Sequence, residues 1–221
     1  MKILFLGIST DLGGAERSLL DLIAGMNMRG HAFIEVLLPK TSGRLTEELR
    51  ARSISVHVLP WPTNALSISR CSFFRSALLF LSSLPALLAT SLRMLRLIAR
   101  LSPDVLHTTG LKMHLWAACF RLVHRKPVVW HLRDHFEPGP VRTVFRGLSR
   151  ITRVRMMANS VSTARSFGLD FAIRVIPNGV QAVKGQAFDT GPSDAWIFGC
   201  VGVLAAWKGQ TLFIEAMRRL R

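Results

Sequence analysis

Short apolar segments alternate with segments of helical period along most of this chain, and this alternation constrains its fold more than any other feature. The apolar runs have the length of buried strands, and turn residues or polar loops separate them from the helical segments. The predicted strands are 3–7, 31–38, 55–59, 104–107, 127–131, 154–158 and 173–176, and the predicted helices are 15–28, 43–52, 111–124, 141–153 and 160–167. Repeated strand–helix units predict an α/β fold with a Rossmann-like parallel sheet and helices on both faces.

The alternation is interrupted once, after residue 180. Residues 181–193 are rich in Gly, Gln, Asp and Pro and show no period, so we predict a linker there. A predicted strand at 196–202 and a predicted helix at 209–220 follow. Because one strand and one helix cannot cover two sheet faces, we expect 1–180 to be one domain and 194–221 to be the first βα unit of an incomplete second domain. The alternative is that this tail adds an edge strand to the first sheet.

The charge of the chain predicts anionic partners. Lys and Arg number 29 against 13 Asp and Glu, a formal net charge of +16, so phosphates, a lipid surface or nucleic acid are the candidates. Nucleic acid is disfavoured because the sequence has no helix-turn-helix, RNA-binding aromatic or zinc-finger motif. The three cysteines, Cys71, Cys119 and Cys200, lie far apart without metal-ligand spacing, which favours a reducing compartment over a disulfide framework.

One apolar segment and one basic stripe allow a membrane interpretation. Residues 76–92 carry no charge, are close to the shortest length that spans a bilayer, and are followed by Arg93, Arg96 and Arg100. They are interpreted either as an interfacial helix that meets anionic lipid or as a core helix with a basic outer face.

The second basic feature lies on a predicted helix. Arg142, Arg146, Arg150 and Arg153 fall on one stripe of that helix. This stripe is interpreted either as a solvated face or as a contact for anionic lipid or polyphosphate.

Ligands of open parallel sheets bind at the carboxyl ends of the strands, and this rule selects the first candidate sites. Gly13 and Gly14 come between the first strand and its helix, where backbone N–H groups attract anions, although an ordinary tight turn needs the same residues. His131 ends an apolar strand and is followed by Asp134 and His135. It is interpreted as a proton-transferring or hydrogen-bonding group, a metal ligand or a structural histidine.

Two further loops are candidates for the same reason. Asn178-Gly179 follows the last strand of the first domain and is also a strong turn signal. Lys208-Gly209 opens the last predicted helix after Gly202. A lysine there opposes the helix dipole unless an anion lies between them, whereas a solvated loop lysine is the ordinary alternative.

Together these segments resemble glycosyltransferase family 4. The segments that carry the resemblance are Gly13-Gly14-Ala15-Glu16, Asp104-Val105-Leu106-His107, His131 with Asp134, Ala158-Asn159-Ser160, Val175-Ile176-Pro177-Asn178-Gly179-Val180, Trp207-Lys208-Gly209-Gln210 and Glu215-Ala216. The resemblance implies the GT-B architecture, two facing Rossmann-like domains. It covers the N-terminal acceptor-side domain, the linker and the start of the nucleotide-sugar-binding domain.

The resemblance also implies a reaction, which is the transfer of a sugar from a nucleotide-sugar donor to a lipid-linked or saccharide acceptor, with no cofactor and no obligatory metal. It places the enzyme in cell-surface polysaccharide or glycolipid synthesis, in the cytoplasm and peripherally on the inner face of the membrane. It assigns a catalytic role to His131 and substrate binding to Gly13, Gly14, Glu16, Asp134, Asn178, Gly202 and Lys208. The alternative is a non-catalytic basic module that binds membranes or polyanions.

Three departures from the family pattern qualify these expectations. Val203 stands where the family usually has an arginine for the diphosphate, and Gln181 stands where an acid often follows the Asn-Gly-Val turn. The paired glutamates that hold the donor in this family are not expected here, because the sequence ends at Arg221. The 221-residue chain alone is therefore expected to have little or no transferase activity.

Overall fold

The computed structural model describes residues 1–30, 32–62, 73–168, 171–179, 196–202, 204 and 208–220, with side chains of the long helix described from residue 83 onward. The chain divides into two compact units, Met1–Gln181 and Ala182–Arg221. The elements of the first unit are β1 Lys2–Leu6, α1 Gly14–Met28, β2 Phe33–Leu38, α2 Arg44–Ala51, β3 Ser55–Val58, α3 Phe73–Leu101, β4 Val105–Thr109, α4 Leu111–Cys119, α5 Arg121–His124, β5 Val128–Leu132, α6 Pro140–Thr152, β6 Arg155–Ala158, α7 Val161–Phe167 and β7 Ile173–Val175. The second unit contains α8, Gln210–Arg219.

The seven strands described in the first unit join one parallel sheet in the order β3-β2-β1-β4-β5-β6-β7. The predicted α/β fold class, a Rossmann-like parallel sheet covered by helices, is therefore confirmed. The chain runs outward from β1 to one edge, returns through α3 to β4 and then runs to the other edge. Since the strand order reverses between β1 and β4, the loops that leave these two strands diverge and open a crevice at their carboxyl ends.

The two sheet faces have separate cores because successive strand side chains point to opposite faces. On one face, Ile3 and Phe5 of β1 pack against Leu19 and Ile23 of α1. The other face is the larger core, which α3, α4 and α6 cover. Its fully buried residues include Leu4, Leu6, Met94, Ile98, Leu106, Ala117, Trp130, Ala158 and Phe167. Burial of both faces explains why strands such as β1 and β5 are mostly apolar rather than alternating.

The apolar segment 76–92 lies within α3, and one side of its described part belongs to the core. Thr90, Ser91, Met94 and Ile98 are buried on its inner side. An adjacent side exposes Leu84, Leu88 and Leu92, which follow one another at intervals of four residues and are called here the α3 leucine stripe. No helix within the described ranges is both long enough and apolar enough to cross a membrane.

The second unit differs from the prediction in one element. Helix α8 forms, but residues 196–202 form no strand, and Trp196, Ile197 and Val201 are 89%, 83% and 103% exposed. A strand needs a neighbour for its backbone N–H and C=O groups, and the described residues of this unit contain no other strand. The predicted linker at 181–193 lies outside the described residues, and its assignment stays a prediction.

Candidate functional site

The loop after β1 leads into the N-terminus of α1, where the twin glycines lie. Gly13 caps the helix with extended backbone, and its N–H group donates to Oε2 of Glu16 at 3.1 Å. A Cβ on Gly13 would come 2.8 Å from that same oxygen, whereas a Cβ on Gly14 would meet nothing within 4 Å. Both glycines are exposed, so the first turn of α1 presents its backbone to the carboxyl edge of the sheet.

A cavity of about 200 Å³ occupies the crevice between β1 and β4. Its walls come from the loop after β1, the first turns of α1, the start of α2, the end of β4 with the residue after it, and the loop after β5. They are Gly7, Ile8, Ser9, Ala15, Glu16, Leu19, Leu45, Thr109, Gly110, Arg133 and Asp134. This cavity, called here the crevice cavity, brings together two of the predicted site residues, Glu16 and Asp134. It lies where the reversal of strand order predicts a ligand site.

Arg133 is the positive group of the crevice cavity. Its Nη1 donates to the carbonyl oxygen of Ala15, which fastens the loop after β5 to the start of α1. Its Nε and Nη2 atoms are buried and have no hydrogen-bond partner within the described part of the chain. Burial lowers the pKa of Arg133, and the carboxylates of Glu16 and Asp134 oppose that shift. No role was predicted for Arg133 from the sequence.

His131 stands near the end of β5 and is only 3% exposed. Its Nδ1 lies 3.2 Å from Nε2 of His107, and the two rings meet edge to face. Its Nε2 is buried without a hydrogen-bond partner among the described residues. Burial, followed by the charge of Arg133, lowers the pKa of His131 to about 4. His131 is therefore neutral near pH 7 and can serve as a hydrogen-bond donor or acceptor, but not as a fixed cation.

His131 lines a second, larger cavity of about 590 Å³ between α1 and the segment after β7, called here the α1–β7 cavity. Polar groups of Ser18, Asp21 and Asn178 line it beside the apolar Leu22 and Met157. The Ser18 hydroxyl donates to Oδ1 of Asn178 at 2.8 Å, which ties the predicted Asn-Gly turn to α1. A wall of hydroxyl, carboxylate, amide and imidazole groups around apolar side chains suits a polyhydroxylated ligand.

Four of the predicted site residues of the first unit therefore line two cavities rather than one, and Gly13 and Gly14 line neither of these two. Glu16 and Asp134 face the crevice cavity, whereas His131 and Asn178 face the α1–β7 cavity. Helix α1 contributes to both, and the Arg133–Ala15 hydrogen bond joins the loop after β5 to the turn with the twin glycines. Within the described ranges, no three His, Cys, Asp or Glu side chains cluster closely enough to hold a metal ion.

The two predicted site residues of the second unit are both exposed. Gly202 lies in the segment without regular structure, and Lys208 directly precedes Gly209, which caps α8 with a φ of 74°. The predicted placement of a lysine at a helix N-terminus is thus observed, while its contact with an anion stays a prediction.

Besides Arg133, two further polar residues that support the site had no predicted role. His107 holds His131, and Ser18 holds Asn178. A histidine within a predicted buried strand is the sequence signal that indicates His107. Ser18 gives no such signal, because a serine on a helix is ordinary.

The arginine stripe of α6 packs against the chain itself. Arg142 and Arg146 donate to the carbonyl oxygens of Ser166 and Phe167 at the end of α7. Arg146 and Arg150 also lie over the ring of Phe171, with 5.1 and 4.6 Å to its centre. Cations at the C-terminus of a helix interact favourably with its dipole, so these arginines stabilise the packing of α6 against α7. Neither sequence interpretation of the stripe included that role.

Comparison with known proteins gave a consistent result. The family model described as Glycosyltransferase Family 4 matches residues 12–183. The structure of Anabaena HepE, solved with UDP-glucose, is similar with a TM-score of 0.59 and 24% identity over 81% of this chain and 44% of that one. A glycosyltransferase from Rickettsia africae is similar with a TM-score of 0.68 and 15% identity over 100% of this chain and 57% of that one. The chain thus spans about half the length of these proteins.

A third solved structure has the same fold. It is MurG from Acinetobacter baumannii, with a TM-score of 0.51 and 13% identity over 80% of this chain and 45% of that one. No significant match to a curated protein sequence was found. At these identities the structural likenesses establish the fold alone.

Proposed function

The chain belongs to glycosyltransferase family 4, and on that premise we propose that it is the acceptor-side part of an enzyme that transfers a sugar from a nucleotide-sugar donor to an acceptor. The observation that carries the proposal is the pair of cavities at the carboxyl ends of β1, β4, β5 and β7. They adjoin an exposed helix N-terminus, a half-buried arginine and a neutral histidine, which are groups that recognise phosphates and sugar hydroxyls. HepE, which has the same fold, was crystallised with UDP-glucose.

The proposed roles follow from where each group lies. The N-terminal turn of α1 at Gly13 and Gly14, together with Arg133, provides hydrogen-bond donors for the donor diphosphate or for an anionic part of the acceptor. His131 contacts the transferred sugar or the acceptor in the α1–β7 cavity. Lys208 at the start of α8 pairs with the diphosphate. Negative charge grows on that leaving group as the glycosidic bond breaks, so its neutralisation is the main catalytic contribution expected of the protein.

The acceptor is proposed to be lipid-linked or a saccharide of the cell surface, reached from the cytoplasmic side of an anionic membrane. The α3 leucine stripe is followed by exposed Arg93, Arg96 and Arg100, which combines an apolar strip with adjacent positive charge. Apolar side chains of α6 also face solvent, because its arginines face α7. The exposed fractions are 58% for Val141, 56% for Val144 and 81% for Ile151. Surfaces of this kind bind the interface of anionic bilayers.

Nucleotide-sugar binding separates this proposal from a non-catalytic module that uses only its basic surface. Thermal unfolding is followed with UDP-glucose, other UDP- and GDP-linked sugars, and heparin as a general polyanion. A ligand at about 100 times its dissociation constant adds about 2.7 kcal/mol to stability, which is a readily measured rise in Tm.

The proposal expects at least one nucleotide sugar to raise Tm by more than the matching nucleoside monophosphate and free sugar together. Glu16→Gln and Asp134→Asn, in the crevice cavity, test whether the ligand binds there, and Glu48→Gln on the outer side of α2 is the matched control. A Tm that rises with heparin but with no nucleotide sugar contradicts the proposal and favours the polyanion-binding alternative.

A further inference from the structure

The contact between His107 and His131 assigns a specific hydrogen-bonding state to the histidine of the site. His107 is 7% exposed, and its ring packs against that of Phe5 with 4.4 Å between ring centres. Its Nε2 lies 3.2 Å from Nδ1 of His131. The ring of Phe5 on one side and the ring of His131 on the other fix the orientation of His107. His107 touches neither of the two cavities, whereas His131 lines the larger one.

Both rings are neutral at physiological pH, so they share one hydrogen bond in which one ring donates and the other accepts. Burial lowers the pKa of His107 well below its ordinary value, and it lowers the pKa of His131 to about 4. Two proton arrangements satisfy this contact. If His107 donates through Nε2, the proton of His131 is on its own Nε2. If His131 donates through Nδ1, the proton of His107 must be on its Nδ1.

The first arrangement is the more stable one. It gives both rings the Nε2–H tautomer, which neutral histidine prefers in water, whereas the second requires both to take the less favourable Nδ1–H tautomer. The hydrogen bond to one ring nitrogen thus determines which nitrogen of the other ring carries the proton. The positive charge of Arg133 further lowers the pKa of His131 and so favours its neutral form, but it does not distinguish the two proton arrangements.

We propose that His107 is a positioning residue that donates to Nδ1 of His131 and thereby makes Nε2 of His131 a hydrogen-bond donor directed at the α1–β7 cavity. Nε2 of His131 is buried and has no partner among the described residues, and His131 lines that cavity, so a ligand oxygen is the partner this atom lacks. His131 then binds an oxygen of the sugar or acceptor and does not act as a general base. The identity of that oxygen rests on the proposed function, whereas the tautomer does not.

Long-range ¹H–¹⁵N correlation spectra of the histidine rings test the proposal on the 221-residue chain. The signals of His131 are assigned by their loss in His131→Gln. The wild-type spectrum is expected to show Nδ1 of His131 in the unprotonated range and Nε2 in the protonated range at pH 7. A protonated Nδ1 with an unprotonated Nε2 overturns the proposal.

Two variants of His107 separate positioning from packing. His107→Phe keeps a ring against Phe5 but removes the donor, so the two His131 nitrogens are expected to shift toward intermediate values as both tautomers become populated. In His107→Gln the amide nitrogen can occupy the place of Nε2 and donate, so the wild-type pattern is expected to return. His124→Gln, a half-buried histidine bonded to the carbonyl oxygen of Ala117, is the control and leaves His131 unchanged.

Equal spectra for the wild type and His107→Phe overturn the positioning role, and so do equal changes in the Phe and Gln variants. If His107→Phe does not fold, the wild-type tautomer and the His107→Gln spectrum still decide the question. None of these readouts requires a nucleotide sugar to bind. A failure of the proposed glycosyl transfer is therefore distinguishable from a failure of this inference.

Discussion

Replacement of Gly43 by alanine is expected to destabilise the loop that leads to the twin glycines. Gly43 precedes α2 with a φ of 134° and a ψ of 150°, a combination that only glycine adopts easily. A Cβ there would lie 2.5 Å from the carbonyl oxygen of Thr10 and 2.7 Å from its Cβ. The same carbonyl oxygen accepts from the N–H group of Leu45 at 3.0 Å, so the loop after β1 cannot withdraw without breaking that bond.

The size of the effect follows from two costs. The backbone conformation costs an alanine ~1–3 kcal/mol. Displacement of a packed segment to relieve the clash costs a further ~1–3 kcal/mol. Their sum, about 2–6 kcal/mol, corresponds to a fall in Tm of about 4–24 °C for a domain of this size. Urea unfolding followed by circular dichroism gives the free energy of unfolding directly, provided that the slope with denaturant is unchanged.

Gly147→Ala is the matched control. Gly147 lies inside α6, and a Cβ there would meet nothing within 4 Å. Since alanine is the better helix former, this variant is expected to gain ~0.5–1 kcal/mol. If Gly43→Ala and Gly147→Ala shift the free energy of unfolding by the same amount and in the same direction, the reasoning about Thr10 is refuted.

Three further predictions concern pH, membranes and the second unit. Burial lowers the pKa of His131 to about 4 and that of His114 to about 3, so these histidines bind fewer protons in the folded state than in the unfolded state. The free energy of unfolding is therefore full above about pH 6.5 and falls by about 1.4 kcal/mol per histidine for each pH unit below it, and a urea midpoint that stays constant between pH 7 and pH 5 would contradict this. Substitution of glutamine for all three leucines of the α3 stripe is expected to abolish sedimentation with phosphatidylserine vesicles at low salt, whereas Met28→Gln, a control at a more exposed apolar side chain of α1, retains it. Equal binding by both would remove α3 from the membrane proposal. Lys208→Ala is expected to weaken UDP-glucose binding about tenfold, as measured by titration calorimetry, because it removes a charge-assisted contact. An equal loss of affinity in Arg218→Ala would indicate a general effect of charge.

The sheet could be predicted because its strands are buried on both faces. Burial of both faces makes strands such as β1 and β5 mostly apolar, and several of the helices between the strands have apolar stripes. The carboxyl ends of parallel strands then lie at one edge, which is why the positions of Glu16, His131, Asp134 and Asn178 near that edge could be predicted. The division of the site into two cavities was not predictable, because it depends on how α1 packs over the sheet.

Where prediction failed, tertiary contacts overrode the local pattern. Residues 196–202 have strand-like composition, but strand formation needs a neighbour that the described part of the second unit does not provide. The arginines of α6 have the pattern of a solvated face, yet the end of α7 and the ring of Phe171 provide acceptors and a π-surface for them. A helical period locates a stripe but does not determine which neighbour it meets.

Hydrogen exchange with and without UDP-glucose tests most directly the claim that the carboxyl edge of this sheet holds a nucleotide sugar. The account predicts slower amide exchange in the loop after β1, in the first turn of α1 and in the segments that follow β4, β5 and β7. Exchange in the outer turns of α3 and α6 is expected to stay the same. Protection confined to those two helices, or no protection at saturating ligand, would contradict the account.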